Sequence, residues 1–183
     1  MIARKLFMLA YKVKKTFFLI LYYSFLIYLP SNSSCKFCVR IRTWCVRHIF
    51  SSVGKKVNIA QGVRFGSGAK IKIGDNSGIG EDCYLVAMAP ISIGNDVMIA
   101  PQVMFLTGGH KYDDPSLLLR EHESLTAPIE IGNDCWIGAR AIILPGVKMA
   151  DRVIIAAGSV VTKDITSSGL YGGNPAKKLK ELL

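Results

Sequence analysis

The first 74 residues of this 183-residue chain contain no aspartate or glutamate, although they hold 14 of its 23 lysines and arginines. All 13 acidic residues follow, against nine basic ones, so the net charge of +10 is the sum of +14 and −4. An asymmetry of this kind predicts two parts with different roles. We expect a helical segment over residues 1–52 and the functional domain over residues 53–183.

Cysteine and histidine are also scarce. The five cysteines are an odd number, which is typical of free thiols in a reducing compartment rather than of a disulfide scaffold. Cys35 and Cys38 form one C-x-x-C pair, but no second pair follows at zinc-ligand spacing. Only His110 and His122 lie in the second part, too few for a three-histidine zinc site. We therefore expect no metal.

No uncharged apolar run is long enough to cross a bilayer. Residues 16–29 (TFFLILYYSFLIYL) end at Pro30, and a helix of that length measures ~21 Å against a hydrocarbon core of ~30 Å. Flanking cations and interspersed aromatic residues are typical of a helix that lies in the membrane interface. The alternative is a helical pair that packs on the rest of the protein or on another subunit. The aromatic residues of this run are Phe17, Phe18, Tyr22, Tyr23, Phe25 and Tyr28.

A second amphipathic helix is indicated by residues 35–50, where apolar residues recur at three- and four-residue steps beside arginines. This spacing places a basic face along the helix. The arginines of this segment are Arg40, Arg42 and Arg47.

From residue 53 onward an aliphatic or aromatic residue recurs every six positions. Three such units per coil predict a chain that winds around a triangular prism and stacks its coils as parallel strands. The recurring residues would point inward, and the side chain four positions later is usually small or β-branched. The recurring residues are Val53, Ile59, Phe65, Ile73, Ile79, Leu85, Ile93, Ile99, Phe105, Ile131, Ile137, Ile143, Met149, Ile155 and Val161.

This arrangement makes three local predictions. Cys83 and Cys135 occupy the small inward position and are expected to be buried thiols. Glycine often follows the recurring residue, where we expect it to supply the unusual backbone angles of a corner. The extra pairs at 71–72 and 91–92, which lengthen the early coils, are expected to form small bulges.

The six-residue phase stops after Phe105 and resumes at Ile131. Polar material that interrupts a regular solenoid is expected to be extruded as a loop, here residues 106–130, where function tends to lie. His110 follows Gly108 and Gly109 at the point where the coil opens. A neutral histidine there can accept a proton from a hydroxyl group near pH 7. The alternative is a loop histidine without a role.

Several motifs of residues 53–183 resemble those of the hexapeptide-repeat acyltransferases, in particular the sugar O-acetyltransferases. Enzymes of this type include galactoside, maltose, O-antigen and exopolysaccharide acetyltransferases. The resemblance implies a mainly β fold, a left-handed parallel β-helix of hexapeptide repeats, assembled as a homotrimer with active sites between subunits. The motifs are TGGH at 107–110, IGNDCWIGA at 131–139, ILPGV at 143–147, AGSVVTKD at 157–164 and GNPAK at 173–177.

The resemblance also implies a mechanism. His110 would act as general base while a sugar hydroxyl attacks the thioester of acetyl-CoA directly, without an acyl-enzyme. Glu123 matches by position the acidic residue that orients the histidine in some relatives, and Asp113 competes with it or contacts substrate. Trp136 would form a wall of the site. The positions that match acetyl-CoA contacts are Ala139, Ala157, Thr162, Lys163 and Lys180.

Two departures separate this chain from its relatives. Galactoside-type enzymes have an asparagine in the coil before the histidine, whereas residues 84–89 read YLVAMA, so we expect a different acceptor. The N-terminal domain of maltose-type enzymes is expected to be replaced by the basic, apolar segment. The predicted function is O-acetylation of a sugar in cell-surface polysaccharide or lipopolysaccharide biosynthesis. Its expected location is the cytoplasm, at the inner face of the cell membrane.

Three alternatives stay open at this point. One is an acyltransferase for another small hydroxyl acceptor. A second is a metalloenzyme of the γ-carbonic-anhydrase type on the same fold, which the histidine count disfavours. A third is a non-enzymatic membrane-binding or nucleic-acid-binding protein, motivated by the charge of +10. The chain lacks a recognised nucleic-acid motif and its repeat domain is acidic, so no nucleic-acid partner is expected.

Overall fold

The computed structural model describes residues 2–30 and 35–182. Helix α1 (Ile2–Ser24) is followed by a 3-10 turn at Leu26–Tyr28, and helix α2 is Lys36–Val46. The Sγ atom of Cys35 accepts a hydrogen bond of 3.3 Å from the backbone N–H of Cys38. The C-x-x-C pair therefore caps the start of α2, because an N-cap side chain bonds the third N–H of its helix.

The remainder is a parallel β-solenoid with three sheets, as the six-residue repeat predicts. The first sheet contains β1 (Ser52–Val53), β3 (Ile71–Ile73), β6 (Ile91–Ile93), β11 (Ile129–Ile131) and β14 (Lys148–Met149). The second contains β2 (Asn58–Ile59), β4 (Gly78–Ile79), β7 (Met98–Ile99), β12 (Trp136–Ile137), β15 (Val153–Ile155) and β17 (Gly169–Gly173), with β18 (Ala176–Lys180) antiparallel at its end. The third contains β5 (Tyr84–Val86), β8 (Met104–Leu106), β13 (Ile142–Ile143) and β16 (Val160–Val161).

The strand register confirms the inward positions. Each recurring residue pairs with its counterpart one coil away, so the second sheet stacks Ile59, Ile79, Ile99, Ile137 and Ile155 in one column. All five are buried in the same core. Cys83 and Cys135 are also buried, as their small inward positions predict.

Two local predictions need correction. The corner glycines of the first sheet's edge do not supply positive φ; Asn76, Asp96 and Asp134 do. Gly94 is required instead because a Cβ there would lie 2.5 Å from the carbonyl oxygen of Gly132 in the next coil. Along the same edge, side-chain oxygens bond the backbone N–H groups of the adjacent coil, as in the 2.9 Å bond from the N–H of Asn95 to Asn133 Oδ1.

The extra residues of the early coils are not bulges. Ile71 and Ile91 belong to β3 and β6, pair with each other, and are completely buried. Because side chains two residues apart in a strand point to the same face, each lengthened strand adds a second inward residue.

The helical segment closes the N-terminal end of the solenoid. Phe18, Tyr22 and Leu26 are buried in one continuous core with the first coils. The hydroxyl of Tyr22 donates a 2.7 Å hydrogen bond to the carbonyl oxygen of Val63. Packing on the rest of the protein, the alternative to a membrane contact, is therefore observed for this face of α1. Within residues 2–30 and 35–182, no helix combines the length and apolarity needed to cross a membrane.

Arg42 departs from the expectation of an exposed basic face. Its side chain is completely buried, and its guanidinium donates to the carbonyl oxygens of Ile59 at 3.0 Å and Leu29 at 2.8 Å. Further bonds reach Leu26 and Pro30. This one side chain thus links α2 to residues 26–30, which follow α1, and to the first coil.

Candidate active site

The interrupting loop leaves the solenoid after β8 and rejoins it at β11, at the edge between the third and first sheets. Its base is an antiparallel ladder of β9 (Gly108–His110) and β10 (Ser124–Thr126). Thr107 anchors the ladder, since its hydroxyl donates to the Val86 carbonyl oxygen at 2.7 Å and accepts the Ala89 N–H at 2.9 Å. The loop is therefore a hairpin held on the coil below, and we call residues 107–128 the hairpin.

His110 lies at the end of β9 with an exposed side chain. Its Nδ1 lies 3.5 Å from the backbone carbonyl oxygen of His122. A carbonyl oxygen only accepts, so this contact favours the tautomer whose Nδ1–H donates to it. The Nε2 lone pair is then free to accept a proton from a hydroxyl group that approaches it.

The Glu123 carboxylate contacts Lys111 rather than His110. Its Oε2 lies 2.7 Å from the Nζ of Lys111, and that hydrogen bond and charge lower the pKa of Glu123. The backbone N–H of Lys111 also bonds the carbonyl oxygen of Glu123. Because successive side chains of a strand alternate, the Lys111 and Glu123 pair lies on the face of the ladder opposite His110. This chain therefore presents a carbonyl, rather than Glu123, to the imidazole.

Asp113 contacts the other histidine. Its Oδ1 lies 3.7 Å from the Nδ1 of His122, whose side chain is almost completely buried. A cavity of about 520 Å³ lies under the hairpin tip, lined by Lys111, Asp113, Asp114, Pro115, Leu117, Glu121, His122 and Glu123. From the sequence, His122 is identified only as a second histidine of the loop. Its burial could not be predicted, because it depends on how the hairpin folds.

The positions that match acetyl-CoA contacts follow two edges of the prism. Ala139 and Ala157 stack in consecutive coils between the second and third sheets, where the N–H of Gly158 bonds the Ala139 carbonyl oxygen at 2.8 Å. Thr162 and Lys163 follow β16 on the same edge as the hairpin, and both are exposed. Lys180 ends β18 and is exposed as well.

Trp136 lies on the outer face of the second sheet, with 49% of its surface exposed. It pairs with Met98 and Ile154 of the neighbouring coils and lines a cavity of about 300 Å³ with them. The second sheet is opposite the edge that carries the hairpin. One chain therefore does not bring Trp136 to His110.

The outer faces of the three sheets differ in polarity. The first presents polar side chains, including Lys72, Glu130 and Lys148. The second sheet presents an apolar column of Met98, Trp136 and Ile154. The third sheet presents another apolar column, which consists of Tyr84, Met104, Ile142 and Val160. Two neighbouring faces of the prism are thus apolar and one is polar.

In the part of the chain that the structure describes, no group of three or more His, Cys, Asp or Glu side chains is arranged to hold a metal ion. All five cysteines are free thiols. Burial raises the pKa of Cys45 and of Cys83 to about 11 in each case, so these thiols stay protonated at neutral pH.

Comparison with known proteins gives two family matches. Residues 128–163 match the family described as bacterial transferase hexapeptide (six repeats). Residues 70–100 match the hexapeptide repeat of succinyl-transferase. The matched ranges lie on either side of the hairpin, in agreement with the repeat seen in the sequence and in the strand register.

Three individual proteins are similar to the chain. The galactoside O-acetyltransferase of Escherichia coli (strain K12) is 34% identical over 144 residues, which are 79% of this chain and 70% of that protein. The crystal structure of a maltose O-acetyltransferase from Clostridium difficile 630 matches with a TM-score of 0.77 and 32% identity, covering 95% of this chain and 89% of that one. The acetyltransferase VCA0836 of Vibrio cholerae O1 biovar eltor, complexed with acetyl coenzyme A, matches with a TM-score of 0.72 and 33% identity, covering 79% and 78%.

The extent of the maltose O-acetyltransferase match corrects one expectation. A coverage of 95% of this chain reaches well into residues 1–52, beyond the solenoid. Most of the helical segment is therefore part of the region that aligns with this enzyme.

Proposed function

The chain belongs to the family of hexapeptide-repeat acetyltransferases that includes the galactoside and maltose O-acetyltransferases, and we propose that it transfers the acetyl group of acetyl-CoA to a sugar hydroxyl with His110 as general base. The observation that carries the role of His110 is the 3.5 Å approach of its Nδ1 to the His122 carbonyl oxygen. That contact leaves Nε2 to accept a proton.

The proposed reaction proceeds in two steps. The acceptor hydroxyl gives its proton to Nε2 of His110 as its oxygen attacks the thioester carbonyl carbon of acetyl-CoA. The tetrahedral oxyanion then collapses, the carbon–sulfur bond breaks, and the protonated imidazole returns the proton to the departing CoA thiolate. The products are the acetyl ester and CoA. The proposed reaction uses neither an acyl-enzyme intermediate nor a metal.

Acetyl-CoA is proposed to lie along the outside of the solenoid. Ala139, which is half-buried, and Ala157, which is exposed, are proposed to contact the pantetheine arm, whose amides need hydrogen-bond partners. Thr162 and Lys163 are proposed to approach the phosphates, and Lys180 the adenine end. Lysine is a suitable residue because its ammonium group is a compact charge for a phosphate.

A homotrimer is proposed because two faces of the prism are apolar. Around a threefold axis, the apolar second and third sheets would be turned towards the neighbouring subunits, with acetyl-CoA between subunits in a heterologous, closed assembly. The polar first sheet would remain outside. This assembly would bring Trp136 of one subunit towards the hairpin edge of its neighbour, where it would form a wall of the site.

The proposed acceptor is a sugar of a cell-surface polysaccharide or lipopolysaccharide rather than a simple galactoside. Met88, in the coil below His110, packs against Gly108, so an apolar side chain occupies the rim of the site. Such a rim offers no hydrogen-bond donor in place of the asparagine of galactoside-type enzymes. A different small hydroxyl acceptor is the second candidate. The free thiols are typical of a reducing compartment, which supports a location at the cytoplasmic face of the membrane.

The test is to incubate the purified chain with acetyl-CoA and a panel of nucleotide sugars and lipid-linked oligosaccharides. We expect CoA release that depends on the acceptor, and a product heavier by one acetyl group in mass spectrometry. A His110→Ala variant should lose this activity. Acetyl transfer that is unchanged in His110→Ala, or no transfer to any sugar, would overturn the proposal.

A further inference from the structure

Helix α1 is apolar on two opposite faces, and the solenoid covers only one of them. Phe18 and Tyr22 form the packed face, and Leu26 of the following 3-10 turn is buried with them. On the other side Leu9, Val13, Phe17 and Ile20 are 59–62% exposed. Two of the aromatic residues that the sequence suggests for a lipid contact, Phe18 and Tyr22, are thus unavailable.

The exposed residues form one stripe along the helix. Positions i, i+4, i+8 and i+11 share one face, since each residue advances the helix by about 100°. The stripe lies on the side opposite the packed face. Lys12 and Lys14 are exposed along its two borders, where long side chains can extend their charge away from an apolar layer.

Helix α2 presents further exposed apolar residues. Phe37 and Trp44 are 70% and 50% exposed, with the exposed Arg40 on the same face of α2. The ring of Trp44 lies 5.3 Å from that of Phe18, which lies 5.4 Å from that of Phe17. Trp44 is therefore linked to the stripe through Phe18, which is buried in the packed face.

The surrounding charge has one sign. Residues 1–74 contain no acidic residue, and the ion pairs of the described residues all lie between Lys111 and Glu181. The cations that border the stripe therefore have no acidic partner in the described chain. An anionic surface is the complement of this arrangement.

We propose that the stripe formed by Leu9, Val13, Phe17 and Ile20, referred to as the lipid-facing surface, docks on an anionic lipid bilayer. The stripe is about 17 Å long and is bordered by lysines along its length, so α1 lies parallel to the membrane plane. Its apolar side chains enter the boundary between headgroups and acyl chains. Lys12, Lys14 and Arg40 bind the headgroup phosphates.

Vesicle binding by the full chain tests this proposal. The chain is mixed with phosphatidylcholine vesicles that contain or lack phosphatidylglycerol, and the bound fraction is measured by co-sedimentation. We expect strong binding to the anionic vesicles, weaker binding to the neutral ones, and a loss of binding at high salt. Equal binding to both kinds of vesicle, or no binding, would overturn the proposal.

Variants separate the lipid-facing surface from other apolar patches. A Phe17→Ser and Ile20→Ser double variant should weaken vesicle binding at least about tenfold, and each of Lys12→Gln and Lys14→Gln about fivefold. Leu179→Ser is the matched control, because Leu179 is 61% exposed on β18 at the other end of the solenoid. It should bind like the unaltered chain.

Gel filtration and melting temperatures of the same variants test whether another subunit, rather than a bilayer, covers the stripe. If the double variant dissociates into smaller species while vesicle binding is kept, the stripe is a subunit contact and the proposal is wrong. Acetyl transfer to a soluble acceptor should be unchanged in the double variant. The failure of lipid docking is thus distinguishable from the failure of the proposed activity.

Discussion

The Nδ1 of His110 lies 3.5 Å from the carbonyl oxygen of His122, across the neck of the hairpin. The two residues are brought together because β9 and β10 pair Gly108 with Thr126 and His110 with Ser124. His122 is in turn buried beside Asp113. The hairpin thus fixes the backbone group that faces the imidazole, independently of any carboxylate.

We expect His110→Ala to reduce acetyl transfer by about 10²–10⁴-fold, the usual contribution of a general base. The melting temperature should not change, because the His110 side chain is exposed. Tyr112→Ala is the matched control, since Tyr112 is 84% exposed on the same hairpin. Initial rates of CoA release with each variant would measure this, and equal loss in both would contradict a specific role of His110.

Glu123→Gln should change the rate of acetyl transfer by less than about fivefold, because the Glu123 carboxylate forms an exposed ion pair with Lys111. Its effect on the pH profile of kcat should be equally small. If Glu123 orients His110 instead, the variant would lose far more activity and shift the pH profile. Lys111→Met provides the comparison, since it removes the same ion pair and leaves the carboxylate in place.

Gly94→Ala should destabilise the solenoid by about 1–3 kcal/mol, a typical cost of overpacking. The added methyl group would lie 2.5 Å from the carbonyl oxygen of Gly132, a backbone atom that cannot rotate away. A methyl group on Gly109 would meet no described atom within 4 Å, so Gly109→Ala should melt like the unaltered chain. Thermal unfolding of both variants would measure this, and equal melting temperatures would show that the close approach to Gly132 is not the reason for glycine at position 94.

Arg42→Met should lower the free energy of unfolding by at least about 3 kcal/mol. The substitution leaves buried carbonyl oxygens, including those of Ile59 and Leu29, without their donor. Arg40→Met on the exposed face of the same helix should change stability by less than about 0.5 kcal/mol. Urea titration measures both, and similar values for the two variants would show that the buried contacts contribute little.

The thiols should differ in reactivity towards an aromatic disulfide reagent near pH 8. Burial raises the pKa of Cys45 and of Cys83 to about 11, so almost no thiolate is present and no path to the reagent exists. The hydrogen bonds from Cys38 lower the pKa of the partly exposed Cys35. We expect Cys35 to react first and the buried thiols only after unfolding. Peptide mapping after a short labelling time would identify the modified residue.

The inward column of the solenoid could be predicted from the sequence because it depends on a local rule. Each six-residue unit contains one short strand and one corner, so Ile79 and Ile99 point inward wherever the repeat keeps its phase. The same phase located the hairpin, since its interruption after Phe105 marks the coil that opens. The corner glycines of the first sheet are predictable in place but not in role, because the approach of Gly132 to Gly94 involves a second coil.

The contacts that depend on the third dimension could not be predicted. The sequence counts Arg42 as one of several basic residues, and only the docking of α2 on the first coil buries its guanidinium. The position of Glu123 suggests a partner of His110, but strand alternation turns its carboxylate to Lys111.

By itself, the sequence determined a coiled, three-sided solenoid with a single interrupting loop, because the six-residue hydrophobic period depends only on the order of residues along the chain. Tertiary structure decided which face of α1 is packed, which carbonyl faces His110, and on which sides of the prism Trp136 and the hairpin lie. These relationships join residues that are far apart in the chain. They arise only when the coils stack and bring such residues into contact.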